Sequence, residues 1–525
     1  MVQIKQNYRM KKIIKTLNSK LDATGMYRVV SVGLLALAAV AILFGFAGLI
    51  PYAGSELILS ALVTVGAALS TNVLFAKLFS VHANHESALI TGLILFFLIL
   101  PAELSQLQFS AIIAAVTFFA IASKYVLVWR KQHILNPVAA GVVAVTVLYA
   151  FFPLPPGYFE SSWWIGQPVM FIPLVLVGLA VVIKVRKWTP VASFLAVAFV
   201  VYLFEEWRFT GEFLENWEGF WVSGPSVFLA AFMLTEPFTM PPTKKVQRWY
   251  GALVGFLSQT TLLTPFIKIT PELALIAGNM FAYAFRIRRK LFLELISKQE
   301  IAADTWELVF SKPTGFTFNA GQYLEWMLPH KNLDQRGPRR YFTIASSPTE
   351  DVVRLIFKTV DSGSSYKKAL LELEPGGQVI ASQLAGDFLL PKDAQQKLGF
   401  IAGGIGITPF ISHVKYLEET QSERDCKLFY CVNEESEMVY KDYFTAVSKD
   451  MSLELIPVIS NGEVDKVAES GFITHEILQR RVPDYLERCW YLSGPPPMVN
   501  AYSTLLKEAG VSSGNIKKDF FPGLA

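Results

Sequence analysis

Between residues 28 and 287 the chain is a succession of long apolar runs with short polar breaks, and beyond Leu291 apolar and polar positions alternate. A membrane-spanning helix needs about 20 apolar residues. Ten runs approach that length: 28–50, 55–78, 86–101, 105–127, 136–153, 165–184, 188–204, 219–236, 248–266 and 271–287, of which the third, seventh and tenth are short. From Leu291 the period is two, in "LFLELI", "TWELVF" and "GQYLEWML", with Gly and Pro at the turns. That pattern predicts a small antiparallel β-barrel. After about Pro391 strand and helix patterns succeed each other, first in "LGFIAGGIGITPFISHVKYLEET", which predicts a parallel sheet with helices. The expected divisions are a basic tail (1–27), a ten-helix membrane domain (28–287), a β-barrel (291–392) and an α/β domain (393–525).

Composition sharpens the contrast. Of 525 residues 52% are hydrophobic and 17% charged, against roughly 25% charged in soluble proteins. The net charge of +4 is small, so its placement matters more. Basic clusters occur in the N-terminal tail (Lys5, Arg9, Lys11, Lys12, Lys15), at Arg130 and Lys131, at Lys184, Arg186 and Lys187, and at Lys244, Lys245 and Arg248. A last one forms a seam, Arg286 to Lys290, where the apolar half ends. They alternate in step with ten spans, while intervening loops such as "PLPPGYFESSWW" and "FEEWRFTGEFLENWEG" are apolar or acidic. By the positive-inside rule both termini and the whole second half are cytoplasmic, on an inner membrane of bacterial type. The charge lies along membrane boundaries, so lipid is the expected partner and nucleic acid is not. The first 28 residues are basic and lack a short apolar region with a cleavage site, so no cleavable signal peptide is expected.

"SALITGLILFFLILP" (from Ser87) is similar to "SVFLAAFMLTEPFTMP" (from Ser226), and "HILNPVAAG" (from His133) to "ELALIAGNM" (from Glu272), at nearly one offset. This maps the third span onto the eighth and the fifth onto the tenth. Five spans per copy is odd, so the copies are expected to be inverted, with a site near the midplane between them. Asn84, Glu86, Lys124, Asn136, Glu236, Glu272 and Asn279 are polar residues at or within the spans. Most lie near an expected interface, where snorkelling suffices. The six histidines include no facing pair inside spans, which argues against a haem relay. Cys426, Cys431 and Cys489 form no CxxC pair, so neither an iron–sulfur cluster nor another metal site is expected.

Four stretches of the second half carry chemistry. In "RRYFTIASSP", Arg340 offers a fork of donors suited to a pyrophosphate, Phe342 a flat face for a ring system, and Thr343 a hydroxyl for a ring nitrogen. "DSGSSYKKALLEL" places Gly363, Ser364 and Ser365 at a helix N-terminus, either as a phosphate turn or as a plain serine cap. In "IAGGIGITPF", Gly403, Gly404 and Gly406 would let a strand-to-helix turn approach a dinucleotide, with Thr408 adding a hydroxyl. "CWYLSGPPPMV" ends a later strand in Ser493 and Gly494, at the carboxyl edge of the same sheet, and the chain closes on "KKDFFPGLA".

In this order the motifs of about Leu291 to Ala525 resemble the ferredoxin–NADP⁺ reductase family. The resemblance implies FAD on the barrel and NADH or NADPH on the α/β domain. It places Arg340, Tyr341, Phe342 and Thr343 on the flavin, Gly363 to Ser365 on its phosphates, and Gly403, Gly404, Gly406, Thr408 and Gly494 on the nicotinamide nucleotide. Phe520 and Phe521 resemble the terminal aromatics that lie against the flavin, and Thr343 and Ser493 would flank hydride transfer. Where the family often has Cys-Gly-Pro this chain has Ser493-Gly494-Pro495. The stretch "LFYCVNEESEMVY" holds Glu434 and Glu435 but no arginine for a 2′-phosphate, which favours NADH.

The segments "ALITGLIL", "SKYVLVWRKQHILNPVAAG" and "MLTEPFTMPPTKKVQRWYGALVGFL" resemble the NqrB/RnfD family of membrane flavoproteins, which belong to the sodium-pumping NADH:quinone oxidoreductase and to the Rnf complex. That family attaches FMN to a threonine of a Gly-Ala-Thr-type motif. Here the stretch reads "SSWWIGQPVMF", with Gln167 in place of the threonine, so covalent flavinylation is not expected. A second, non-covalent flavin (FMN or riboflavin) in the bundle and a flavinylated partner outside both stay open. The leading reading is a conduit carrying electrons from NAD(P)H through FAD into the bundle and on to a quinone or an extracytosolic acceptor. Two alternatives are a reductase merely anchored by the bundle, and a redox-driven ion pump or transporter.

Overall fold

The computed structural model describes residues 25–81, 83–101, 107–129, 132–152, 161–211, 217–222, 224–261, 269–285, 290–331, 333–334, 338–359, 364–461 and 468–519. It separates into two compact units, Met1–Arg288 and Arg289–Leu524.

The first unit is helical: α1 (Met26–Phe46), α2 (Gly54–Leu78), α3 (His85–Leu98), α4 (Leu107–Val126), α5 (Pro137–Phe151), α6 (Phe171–Val185), α7 (Trp188–Thr210), α8 (Trp217–Val222), α9 (Lys244–Gln259) and α10 (Pro271–Ala284). Among the described residues five segments are long and apolar enough to cross a membrane: α1, α2, Phe109–Val126, Pro168–Val185 and α7. Helices α3 and α5 are apolar but shorter. Between α8 and α9 a short helical turn, Ser226–Phe228, runs into a fully buried π-helical turn, Leu229–Met233. Among the described residues the expected eighth span, 219–236, therefore holds two helical stretches, the second passing from α to π geometry.

Local chemistry sets the helix starts. Asn136 caps α5, its side chain accepting from the Ala139 N–H at 3.2 Å, with Pro137 in the first turn. Thr270 and Pro271 repeat the arrangement at α10. Such caps satisfy N–H groups that a helix leaves unpaired. Helix α2 packs on α3 and α4, and α4 on α5; in the second half α7 packs on α9, and α9 on α10. Helix α1 also meets α6, and α5 meets α10. Close approach of α7 and α9 depends on Gly251 and Gly255. A Cβ on Gly251 would lie 2.3 Å from the Pro190 carbonyl oxygen, and one on Gly255 2.6 Å from that of Phe194.

The second unit begins with β1 (Leu291–Ala302), β2 (Thr305–Ser311), β3 (Tyr323–Met327), β4 (Arg339–Thr343), β5 (Val352–Lys358), α11 (Ser365–Glu372) and β6 (Gln378–Ala385). These strands form a six-stranded antiparallel sheet in the order β4-β3-β6-β1-β2-β5. The chain leaving β4 reaches β5 at the far edge, where Ala345 N–H donates to the Arg354 carbonyl at 3.0 Å.

A parallel sheet follows, built from β7 (Leu398–Gly403), β8 (Cys426–Val432), β9 (Leu453–Ile459), β10 (Glu469–Ser470), β11 (Cys489–Ser493) and β12 (Ile516–Asp519), in the order β10-β9-β8-β7-β11-β12. Strand β7 is buried along its whole length, as a central parallel strand should be. Helix α12 (Thr408–Glu419) follows it through a 3₁₀ turn, Gly404–Ile407. The two sheets are tied by partly buried polar contacts: Tyr440 donates to Glu307 at 2.5 Å, Lys415 pairs with Glu350 at 3.2 Å, and Lys358 pairs with Glu437 at 2.8 Å. Cys426 and Cys489 are buried, and burial pushes the Cys426 and Cys431 thiols up to about 12, so neither is a thiolate at neutral pH.

Candidate functional site

Strand β4 alternates its side chains across the sheet, which separates the residues of the "RRYFT" motif. Arg340 is turned inward and 7% exposed. Its Nη2 donates to both carboxylate oxygens of Asp334 at 2.7 Å and to Ser364 Oγ at 3.1 Å, and its guanidinium lies 5.4 Å from the centre of the Tyr366 ring. Ser364 is the N-cap of α11, yet its hydroxyl does not cap the helix; it donates to Asp334 Oδ2 at 3.2 Å. Ser365 Oγ accepts from the Asp334 N–H at 3.0 Å and lies 3.0 Å from His330 Nε2. Arg340, Ser364 and Ser365 thus converge on one point at a helix N-terminus. A buried guanidinium, two hydroxyls and the open N–H groups of a first helical turn fit a diphosphate.

Phe342 is not presented as an open ring face. It is buried against Phe357 and Tyr366, with ring centroids 6.4 and 6.0 Å away. The exposed ring of β4 is Tyr341, whose hydroxyl reaches Glu325 and Gln383 at 3.3 and 3.2 Å. Thr343 is buried opposite Tyr323 of β3, and its hydroxyl makes no hydrogen bond among the described residues. Gly363, Phe520 and Phe521 lie outside the described residues.

On the parallel sheet the glycines divide into two kinds. A Cβ on Gly403 would lie 2.3 Å from Met498 Sδ, and one on Gly406 would lie 2.4 Å from the Ser493 carbonyl oxygen. Their smallness brings the turn after β7 against the turn after β11. Gly404, with φ +51° and open space around it, is the one whose face is free. Thr408 is the first residue of α12 and is 8% exposed. Gly494 has φ +153°, and a Cβ on it would lie 3.1 Å from Gly403 Cα, so the two turns lie side by side at the carboxyl edge. Ser493 is buried beside Ala402 on one side and Asp519 of β12 on the other. Burial raises the Asp519 carboxyl to about 7; burial also pushes the Tyr323 phenol up to about 12, with the Asp519 and Asp387 carboxylates adding to it.

Asp334 and His330 carry no signal in the sequence, because "PHKNLDQRGP" has no period and no motif. Tyr366 is hidden beside the serines.

In the bundle, Asn84 is an exposed cap of α3, whereas several of the other polar residues are buried together. Asn136 and Asn279 are 3% and 1% exposed and meet each other, Asn136 N–H donating to Asn279 Oδ1 at 2.7 Å. Asn136 Nδ2 donates to Glu236 at 2.8 Å, Thr239 Oγ1 to Glu236 at 3.1 Å, and His133 Nε2 stands 3.4 Å from Glu236 Oε1. Lys124 bonds Ser87 and Thr91 on α3. Residues from the expected fifth, eighth and tenth spans therefore share one buried cluster.

The chain thus joins an apolar helical bundle to an antiparallel sheet and a nucleotide-type parallel sheet. Comparison with known proteins is consistent with both halves. Residues 400–504 match the oxidoreductase NAD-binding domain, and residues 157–283 match the NQR2, RnfD, RnfE family. Similar curated proteins include the glycine betaine monooxygenase reductase subunit of Chromohalobacter salexigens, 23% identical over 232 residues, covering 42% of this chain and 62% of that protein. The phenol hydroxylase P5 protein of Acinetobacter pittii is 32% identical over 200 residues, covering 36% and 54%. The chain spans between 50% and 70% of the length of the curated relatives it matches. Among solved structures, the Amycolatopsis cytochrome P450 reductase GcoB aligns with a TM-score of 0.40 at 26% identity, covering 44% of this chain and 70% of that one. A ferredoxin NADP⁺ reductase from Neisseria gonorrhoeae with bound FAD and NADP aligns at 0.39 and 18% identity, covering 44% and 98%.

Proposed function

We propose that the protein is a membrane-bound, FAD-dependent NAD(P)H oxidoreductase that passes electrons from the cytoplasmic face into its own bundle and on to a quinone or an extracytosolic acceptor. The observation that carries this reading is the union, in one chain, of an oxidoreductase NAD-binding domain with an NQR2/RnfD/RnfE-type bundle. Bound FAD would accept a hydride from the nicotinamide and release its electrons singly.

The chain's own residues supply positioning. Arg340, Ser364 and the first turn of α11 would hold the flavin diphosphate, and the Thr343 hydroxyl would face the ring edge. Gly404, Thr408 and the Gly494 turn would seat the nicotinamide nucleotide, and Ser493 would border the hydride path. Phe520 and Phe521 would cover the flavin. Acidic Glu434 and Glu435 favour NADH. The bundle would use ten spans in two inverted five-helix repeats, a reading supported by the contacts of α1 with α6 and of α5 with α10. Its hydrocarbon thickness, about 30 Å, calls for an intermediate carrier, for which a non-covalent FMN or riboflavin between the repeats is the simplest choice.

The test is to reconstitute the purified chain in liposomes with an impermeant acceptor trapped inside and NADH added outside, and to count the flavins released on denaturation. Reduction of the trapped acceptor with FAD plus a second flavin per chain is expected. FAD alone, with no trapped acceptor reduced, would leave the bundle as an anchor.

A further inference from the structure

We propose that the Asp334 carboxylate is a built-in stand-in for the flavin diphosphate, occupying the Arg340–Ser364 cradle of the flavin-free protein and leaving it when the cofactor binds. This rests on the reading of that cradle as the diphosphate site. The carboxylate takes the donors a phosphate would take: Arg340 Nη2 at 2.7 Å to each oxygen, and the Ser364 hydroxyl at 3.2 Å. Its backbone is held as well, since the Asp334 N–H donates to Ser365 Oγ at 3.0 Å. The anchoring is local and polar, and Asp334 is partly exposed, its side chain retaining 26% of its accessible surface against 7% for Arg340. A carboxylate that remained in place would set a negative charge directly against a diphosphate on the same guanidinium, which is repulsive. A carboxylate that moves aside lets the cradle exchange one anion for another, so the buried Arg340 always has an anionic partner. The exchange matters for a buried cation, because an unpaired guanidinium in this position is costly.

The measurement is stopped-flow flavin fluorescence on the full-length chain in detergent, stripped of flavin, comparing the native protein with Asp334→Asn and Asp334→Ser. Both the association rate of FAD and its dissociation rate are read. The expected result is association faster by about tenfold, equivalent to about 1.4 kcal/mol, with dissociation unchanged. Binding of inorganic pyrophosphate to the stripped protein should tighten in the same variants. Unchanged association with faster dissociation would overturn the proposal, because Asp334 would then be holding Arg340 in place for the bound cofactor. Should one variant fail to fold, the other gives the same comparison. Absence of FAD binding to the native chain, with folding intact, would instead overturn the reading of the cradle itself.

Discussion

Arg340 gives one nitrogen to both carboxylate oxygens of Asp334, each at 2.7 Å, and the same nitrogen reaches Ser364. Nη1 of the same guanidinium donates to the Arg339 carbonyl at 2.7 Å, so the group is held at two nitrogens at once, which a single ammonium cannot reproduce. Arg340→Lys should therefore weaken FAD binding by about tenfold or more, read by titrating the stripped protein and following flavin fluorescence. Unaltered affinity would remove Arg340 from the site.

Glu434 and Glu435 are exposed just beyond β8, where a 2′-phosphate would meet negative charge. The ratio of kcat/KM for NADH over NADPH should exceed one. Glu434→Arg should lower that ratio by about tenfold, with little change in flavin content. A native preference for NADPH would refute this assignment.

His413 is fully buried on α12, its Nε2 3.0 Å from the Phe388 carbonyl and its ring stacked on Phe388. Burial pulls its pKa down to about 4, so the folded protein holds the neutral ring. The unfolded chain protonates near 6.5, so this contribution to stability is complete above about 6.5 and is lost as pH falls toward 4. Its ceiling is about 3 kcal/mol. His413→Gln, which can keep the bond to Phe388, should flatten the pH dependence of thermal unfolding in that window. An identical slope in both proteins would exclude His413 as the source.

Gly251 and Gly255 set the distance between α7 and α9. Gly255→Val should cost about 1–3 kcal/mol through overpacking, seen as a lower unfolding temperature in detergent. Gly66→Ala, at a helical position with nothing within 4 Å, should be neutral or stabilising. Equal effects at the two positions would mean that helix spacing is not set at Gly255.

The apolar runs located the helices well because lipid and core burial demand the same residues. The π-turn at Leu229–Met233 was invisible, since it has the same composition as the α-helix around it. The switch to period two at Leu291 announced the antiparallel sheet, and "IAGGIGITPF" announced the β7–α12 turn. What the glycines do there was not legible: Gly403 and Gly406 are small for the sake of Met498 and Ser493, far along the chain. Which face of β4 Tyr341 and Phe342 each take depends on the register with Leu324 and Glu325, which only the paired strands reveal. The meeting of Asn136, Glu236 and Asn279 required the tertiary fold.

Strand β7 lies between β8 and β11, so one wall of the nucleotide turn is supplied nearby and the other by the much later segment Cys489–Ser493. Pairing of such high sequence separation is slow, because loop-closure entropy is lost before any contact compensates it. The turn at Gly403 to Thr408 consequently lacks its second wall until β11 has been translated. Nucleotide binding is then expected among the last properties the nascent chain acquires, and a pulse-labelled chain should become NADH-protectable against protease only after β11 has emerged.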